Sequence, residues 1–112
     1  MRNFSLFFVV IILFISANAQ QSGNGTIHGK VVDVQGALVR GATVKITNAS
    51  GAERTAQSNQ DGEFSFNNLA AGKYSLAVAA RGFALYENAA IDISAGKSLS
   101  VDVTLSITVN EK

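Results

Sequence analysis

The chain has 112 residues, 47% of them hydrophobic, with nine Lys or Arg against eight Asp or Glu. Because positive and negative charges nearly balance and no run of like charges is present, we do not expect nucleic acid as a partner. The absence of cysteine and the presence of a single histidine exclude disulfides and the common zinc sites.

The amino terminus is typical of a cleavable signal peptide. The positively charged Arg2 is followed by an apolar run over residues 4–15. As a helix, this run is too short to cross the ~30 Å hydrocarbon core of a membrane. Small residues then form a cleavage site that ends at Ala19. We predict a signal peptide over 1–19, a linker over 20–25, and export to the bacterial periplasm or exterior with no membrane span in the mature chain. An uncleaved amino-terminal anchor is the alternative.

After this segment, alternating apolar and polar runs recur at intervals of roughly eight to twelve residues between turn formers. The spacing predicts an all-β fold, a seven-stranded antiparallel Greek-key β-sandwich over residues 26–105, with a tail or strand extension over 106–112. No helix is predicted. The predicted strands cover residues 26–33, 42–48, 53–58, 63–67, 73–79, 83–92 and 99–109.

The alternation also predicts which side chains face the core. The polar strand 53–58 is expected at a sheet edge. Residues 59–62 are expected to form a hairpin turn, with Gly62 at positive φ. The core-facing side chains predicted are Val44, Ile46, Phe64, Phe66, Tyr74, Leu76, Val78, Leu99, Val101, Val103, Leu105, Ile107 and Val109.

Six short motifs follow one another along the mature chain. They are Gly29-Lys-Val-Val-Asp33, Gly36, Val39-Arg-Gly-Ala-Thr-Val44, Asn59-Gln-Asp-Gly-Glu-Phe-Ser-Phe66, Leu69-Ala-Ala-Gly-Lys-Tyr-Ser-Leu76 and Ala80-Arg-Gly-Phe83. The series closely resembles the carboxypeptidase regulatory-like domain, a transthyretin-like sandwich of the carbohydrate-binding-like fold group. The resemblance implies a non-catalytic module, of the kind found beside metallocarboxypeptidase domains, at the amino end of TonB-dependent receptors, and as free secreted proteins.

Two catalytic interpretations find little support in the residues. A serine nucleophile needs a base, and His28 lies on a predicted strand, where a solvated surface role is the ordinary one. An internal isopeptide bond, as in collagen-adhesin B-type domains, would join Lys30 to Asp102. The glutamate that follows the Tyr-x-Leu motif in that family is missing after Leu76. We therefore expect no enzyme activity.

Metal binding is also not expected. The carboxylates at turns and strand ends form no Asp-x-Asp-x-Asp loop, and aspartate in turns commonly bonds its own backbone. The residues considered as calcium ligands are Asp33, Asp61, Glu63 and Asp92. We expect no cofactor.

Sugar binding would require an exposed aromatic ring beside polar groups. Phe83 follows a predicted turn, and Tyr86 lies in an irregular strand close to Asn88. These three are the candidate ligand contacts, although both rings could equally cover the edge of the core. The leading hypothesis is an exported module that binds an envelope protein or a polysaccharide through loops or through an edge strand, 53–58 or 106–110. The alternative is a structural accessory or spacer domain.

Overall fold

A computed structural model of the protein describes residues 24–108, and its regular elements are all β-strands. They form two sheets, one with the order β4-β1-β7 in which β8 also pairs with β1, and one with the order β3-β2-β5-β6. The strands are β1 (Gly25–Asp33), β2 (Thr43–Asn48), β3 (Glu53–Gln57), β4 (Glu63–Leu69), β5 (Gly72–Ala79), β6 (Tyr86–Ile93), β7 (Ser98–Ser100) and β8 (Val103–Leu105). The predicted signal peptide lies outside the described residues, and so does the tail beyond residue 108.

The core lies between the two sheets and is built from alternate strand residues. The predicted inward positions of β2, β4 and β5 are confirmed by their burial. A fully buried aliphatic or aromatic side chain stabilises a fold by about 1.5–3 kcal/mol. The largest fully buried side chains are Phe66, Ile27, Ile46, Leu76, Leu105, Val31, Val44, Val78 and Val103.

The prediction of seven antiparallel strands is wrong in two respects. The described residues contain eight strands, because the expected last strand is interrupted at Val101 and Asp102. In addition, β1 pairs in parallel with both β7 and β8. The register is the same on both sides of the interruption, with Ile27 opposite Leu99 and Val31 opposite Val103.

The turn at Asn59–Gly62 is a crossover between the sheets and not the predicted hairpin, since β3 and β4 belong to different sheets. The positive φ predicted for Gly62 is confirmed, at 74°. The turn is one of three with the same hydrogen bonds, beginning at Asp33, Asn48 and Asn59. In each, a side-chain oxygen accepts backbone N–H groups two and four residues later. A glycine three residues later has positive φ.

The segment after β8 also differs from the prediction. The N–H of Ala84 donates to the carbonyl of Ser106 at 2.7 Å, and the N–H of Thr108 donates to the carbonyl of Gly82 at 3.1 Å. Ile107 lies opposite Phe83 in this short ladder. The expectation that Ile107 faces the core is wrong, because its side chain is 58% exposed at the end of the sandwich.

A buried serine joins the end of β3 to the chain that enters β2. The Ser58 hydroxyl donates to the carbonyl of Val39 at 2.8 Å and accepts the N–H of Ala42 at 2.9 Å. Its backbone N–H donates to the carbonyl of Ala42, and its carbonyl accepts the N–H of Gly41, both at 2.9 Å. The hydroxyl, N–H and carbonyl groups of Ser58 thus make four hydrogen bonds at a buried position.

Ser58→Ala is expected to lower the free energy of unfolding by about 1–3 kcal/mol, because two buried backbone groups lose their partner. Urea unfolding followed by circular dichroism measures this change. Ser65→Ala, at an exposed position of β4, is the control and is expected to change stability by less than about 0.5 kcal/mol. Equal stability of the two variants would contradict the role assigned to Ser58.

Candidate functional site

The outer face of the first sheet carries an open polar groove of about 400 Å³. Side chains from three neighbouring strand segments and from the turn residue Asn59 line it. The six polar side chains on the strand segments are all exposed to solvent. They are His28 and Lys30 from β1, Glu63 and Ser65 from β4, and Ser100 and Asp102 from the end of β7 and the interruption that follows it.

Strand pairing arranges these side chains in two rows across the sheet. His28 lies opposite Ser65 on one side and opposite Ser100 on the other. Lys30 lies opposite Glu63, and the unchanged register of the last strands places it opposite Asp102 as well. One row thus holds an imidazole between two hydroxyls, and the other an ammonium group between two carboxylates.

The charged groups of the groove are open to a ligand. Within residues 24–108, the ion pairs shorter than 4 Å lie elsewhere and join Lys45 to Glu53 at 3.7 Å and Lys73 to Asp92 at 3.0 Å. Lys30 has no such partner in this part of the chain. Its ammonium group and the two neighbouring carboxylates can therefore donate to and accept from a bound molecule.

Gly29 lies between His28 and Lys30 on β1, where Val101, in the interruption between β7 and β8, comes close to the backbone of β1. A Cβ atom at this position would overlap the carbonyl oxygen of Val101 and would lie 2.9 Å from the ring of Phe64. The N–H of Val101 donates to the carbonyl of His28 at 2.8 Å, which holds the two segments together. Glycine is required here because the backbone of another segment occupies the space of its side chain.

Gly29→Ala is expected to lower the free energy of unfolding by about 1–3 kcal/mol, because the methyl group must push Val101 away from β1. The shift should also be visible at the amide signal of Val101 in a ¹⁵N–¹H correlation spectrum. Gly36→Ala is the control: a Cβ there meets nothing within 4 Å, so the amide of Val101 should not move. An unmoved Val101 signal in G29A would show that the close approach is absent.

Of the residues predicted as ligand contacts, Tyr86 and Asn88 lie on the second sheet, whereas Phe83 lies in the loop before β6 and is bridged to Ile107. Tyr86 is opposite Val78 and Asn88 is opposite Leu76, so both share the face of the second sheet that carries core residues. Tyr86 and Phe83 are half-buried and pack against the core. The Asn88 side chain accepts the N–H of Ala90 at 3.0 Å, at an irregularity in the β5–β6 ladder. The three residues remain candidates, but each also has a structural role.

The geometry at His28 and Lys30 gives no support to the catalytic alternatives. No hydrogen bond joins His28 to Ser65 or Ser100 among the residues described. Lys30 and Asp102 share the groove, as an isopeptide bond would require, but both are exposed to water. A nucleophilic lysine must lose its proton, which desolvation favours and an aqueous surface does not.

Residues 24–108 contain no group of three or more His, Cys, Asp or Glu side chains placed to hold a metal ion. The Asp33 carboxylate accepts the N–H groups of Gln35 and Ala37 in its own turn. Over the same residues, no helix is long and apolar enough to cross a membrane.

Sequence reasoning missed the groove as a site. It placed Lys30, Glu63 and Ser65 on strands, and the inward positions predicted for Phe64 and Phe66 implied that Glu63 and Ser65 face outward. It could not show that β4 and the last strand flank β1, because no local pattern encodes which strands pair. The signal that could have been used was the polar character of the outward positions on β1 and β4.

A family model, the carboxypeptidase regulatory-like domain, matches residues 26–106. Among solved structures, the Bacillus anthracis TIE protein superimposes with a TM-score of 0.70 and 22% identity, over 89% of this chain and 19% of that one. GBS52, the minor pilin of Streptococcus agalactiae, gives 0.65 and 16%, over 81% and 48%. A protein of Bacteroides uniformis with a proposed carbohydrate-binding activity gives 0.62 and 20%, over 74% and 41%.

At these identities the likeness to the solved structures shows a shared fold. The chain spans from about a fifth to a half of the length of those three proteins. No curated protein matches it.

Proposed function

The chain belongs to the carboxypeptidase regulatory-like domain family, and we propose that it is a non-catalytic, exported module that binds a neutral polysaccharide of the cell envelope. The observation that carries the proposal is the polar groove on the outer face of the first sheet. Its volume of about 400 Å³ is in the range of ligand sites, roughly 300–1,000 Å³. The groove is open to solvent, which suits a polymer better than a small enclosed ligand.

The chemistry of the groove matches a ligand rich in hydroxyl groups. A sugar hydroxyl both donates and accepts, so it can bond carboxylates, an ammonium group and serine hydroxyls in the same site. Glu63 and Asp102 flank the single ammonium of Lys30, and two carboxylates would repel an anionic polymer. The side chains therefore favour a neutral glycan over an acidic one.

The affinity of one groove for a glycan is expected to be low. The aromatic residue in its lining, Phe64, is 4% exposed and cannot offer a ring face to a sugar. Binding would depend on hydrogen bonds at a surface open to water, each with a modest net contribution of about 0.5–1.5 kcal/mol. A repeating polymer that contacts many modules would compensate for this weakness.

Export is supported by the amino-terminal pattern of residues 1–19 and by the structural neighbours. One of these neighbours is a pilin of a Gram-positive pathogen. Another is a bacterial protein with a proposed carbohydrate-binding activity. These likenesses fit an envelope or extracellular setting for this chain.

The alternatives are a different glycan site, a spacer or accessory role, and a protein partner. A second glycan site at Phe83, Tyr86 and Asn88 would use the partly exposed rings at the edge of the second sheet. A spacer or accessory role is favoured by the solved structures, in which the matched fold is a fraction of a longer chain. An envelope protein as partner would use the same exposed faces.

Affinity electrophoresis of the purified protein through gels containing neutral glucan, mannan or xylan, with alginate as the anionic comparison, tests the proposal. Glu63→Gln and Asp102→Asn each remove a charged acceptor without changing side-chain shape. Each is expected to weaken retention by a neutral polysaccharide by roughly 2- to 12-fold. Glu87→Gln, on the outer face of the second sheet, is the matched control and should leave retention unchanged.

The remaining outcomes separate the alternatives. Retention that is lost in Phe83→Ala or Tyr86→Ala, and kept in the groove variants, would move the site to the second sheet. Preferential retention by alginate would contradict the neutral ligand. A folded protein retained by no polysaccharide would favour a protein partner or a spacer role.

A further inference from the structure

The edge strand β3 makes backbone hydrogen bonds to a neighbouring strand on one side only, and its other side is unpaired. β3 pairs with β2 alone, in a regular antiparallel register. At one end of this ladder the N–H of Ser58 donates to the carbonyl of Ala42, and at the other the N–H of Asn48 donates to the carbonyl of Ala52. The N–H and C=O groups of successive residues point to alternate sides of a strand. These two bonds therefore determine to which side the N–H and C=O groups of every residue between them point.

Arg54 and Ala56 direct their backbone groups towards β2. Glu53, Thr55 and Gln57 therefore direct their N–H and C=O groups away from the sheet. None of these outward groups is bonded to another part of residues 24–108. β3 thus presents three donors and three acceptors at regular intervals along an exposed edge.

The other sheet edges are irregular, partly bonded or, at β7, only three residues long. The β5–β6 ladder is irregular near Ala90, where Asn88 bonds the backbone, and such bulges discourage further pairing. Residues 106–108, which follow β8, pair with residues 82–84. On β4, the Arg54 guanidinium donates to the carbonyl of Asn67 at 2.8 Å. β3 itself is regular, and its sequence contains no proline.

We propose that two copies of this chain pair through β3, antiparallel, with Thr55 opposite Thr55 of the second copy. In this register Glu53 lies opposite Gln57 and Arg54 lies opposite Ala56. In this register the residues with outward backbone groups lie opposite one another across the two-fold axis. All three outward N–H groups and all three outward carbonyls of each copy therefore find partners.

The side chains fit this register. No two like charges lie opposite each other, the Glu53 carboxylate faces an amide that can donate to it, and threonine pairs are favourable between strands. An inward-pointing charge often protects an edge, but here the guanidinium of Arg54 already bonds Asn67 and lies 5.8 Å from the centre of the Phe66 ring. The small side chain of Ala56 lies opposite it, so the charge does not block the approach.

The pairing joins the two second sheets, of four strands each, into one continuous layer. Its two-fold axis is perpendicular to that layer, so the first sheets of both copies lie on the same side. The polar grooves of the pair then face the same direction. The proposal itself does not depend on what the grooves bind.

Thr55→Pro is the decisive variant. In a single copy the N–H of Thr55 points to solvent, so proline in both copies removes the two N–H···O bonds between the Thr55 residues of the pair and none to β2. Sedimentation equilibrium of the purified protein over a concentration series should show dimers for wild type and for Thr55→Val, which keeps the N–H group. Thr55→Pro should be monomeric, with a thermal midpoint close to that of the dissociated wild type.

Charge variants at Gln57 provide a test that does not disturb the backbone. Gln57→Glu places two like-charge pairs across the axis and should weaken the dimer by roughly 2- to 30-fold, whereas Gln57→Lys should strengthen it by a similar factor. Wild type that remains monomeric at millimolar concentration would overturn the proposal. A dimer unaffected by both Gln57 variants would also overturn it, even if Thr55→Pro failed to fold.

Discussion

The carbonyl of Val101 lies against the Cα of Gly29, and the first sheet depends on this approach. β1 is the strand to which β4, β7 and β8 all pair, so any displacement of the last strands from β1 would open the sheet at its centre. Ile27 and Val31, on either side of the glycine, are fully buried. A side chain at position 29 would therefore disturb strand pairing and core packing together.

β1 contributes to two different surfaces because successive side chains alternate between the faces of a strand. Its inward residues form part of the core, while His28 and Lys30 form the centre of the polar groove. The ladder between β1 and the last strand is interrupted next to these two residues. The constraint at Gly29 thus holds the core and the groove in register, although the groove side chains themselves contribute little to stability.

The two proposed surfaces lie on different sheets and use different chemistry. The groove consists of exposed side chains of the first sheet, and its proposed preference for a neutral ligand depends on their charges. The edge of β3 uses backbone groups of the second sheet, and its side chains determine the register. Arg54 connects the two sheets, since it extends from β3 to the carbonyl of Asn67 on β4. This contact occupies one carbonyl at the edge of the first sheet and no backbone group of β3.

The sequence by itself determined the all-β class, the approximate positions of most strands, the inward faces of β2, β4 and β5, the positive φ of Gly62 and the family. These properties depend on residues close together in the chain, where alternation and turn chemistry act. The tertiary structure alone decided that β1 pairs in parallel with the last strands, and that His28 meets Ser100, 72 positions away (100 minus 28). It also decided that Ile107 lies at the exposed end. Strand partners are chosen by packing between distant segments, and a local pattern carries no information about that choice.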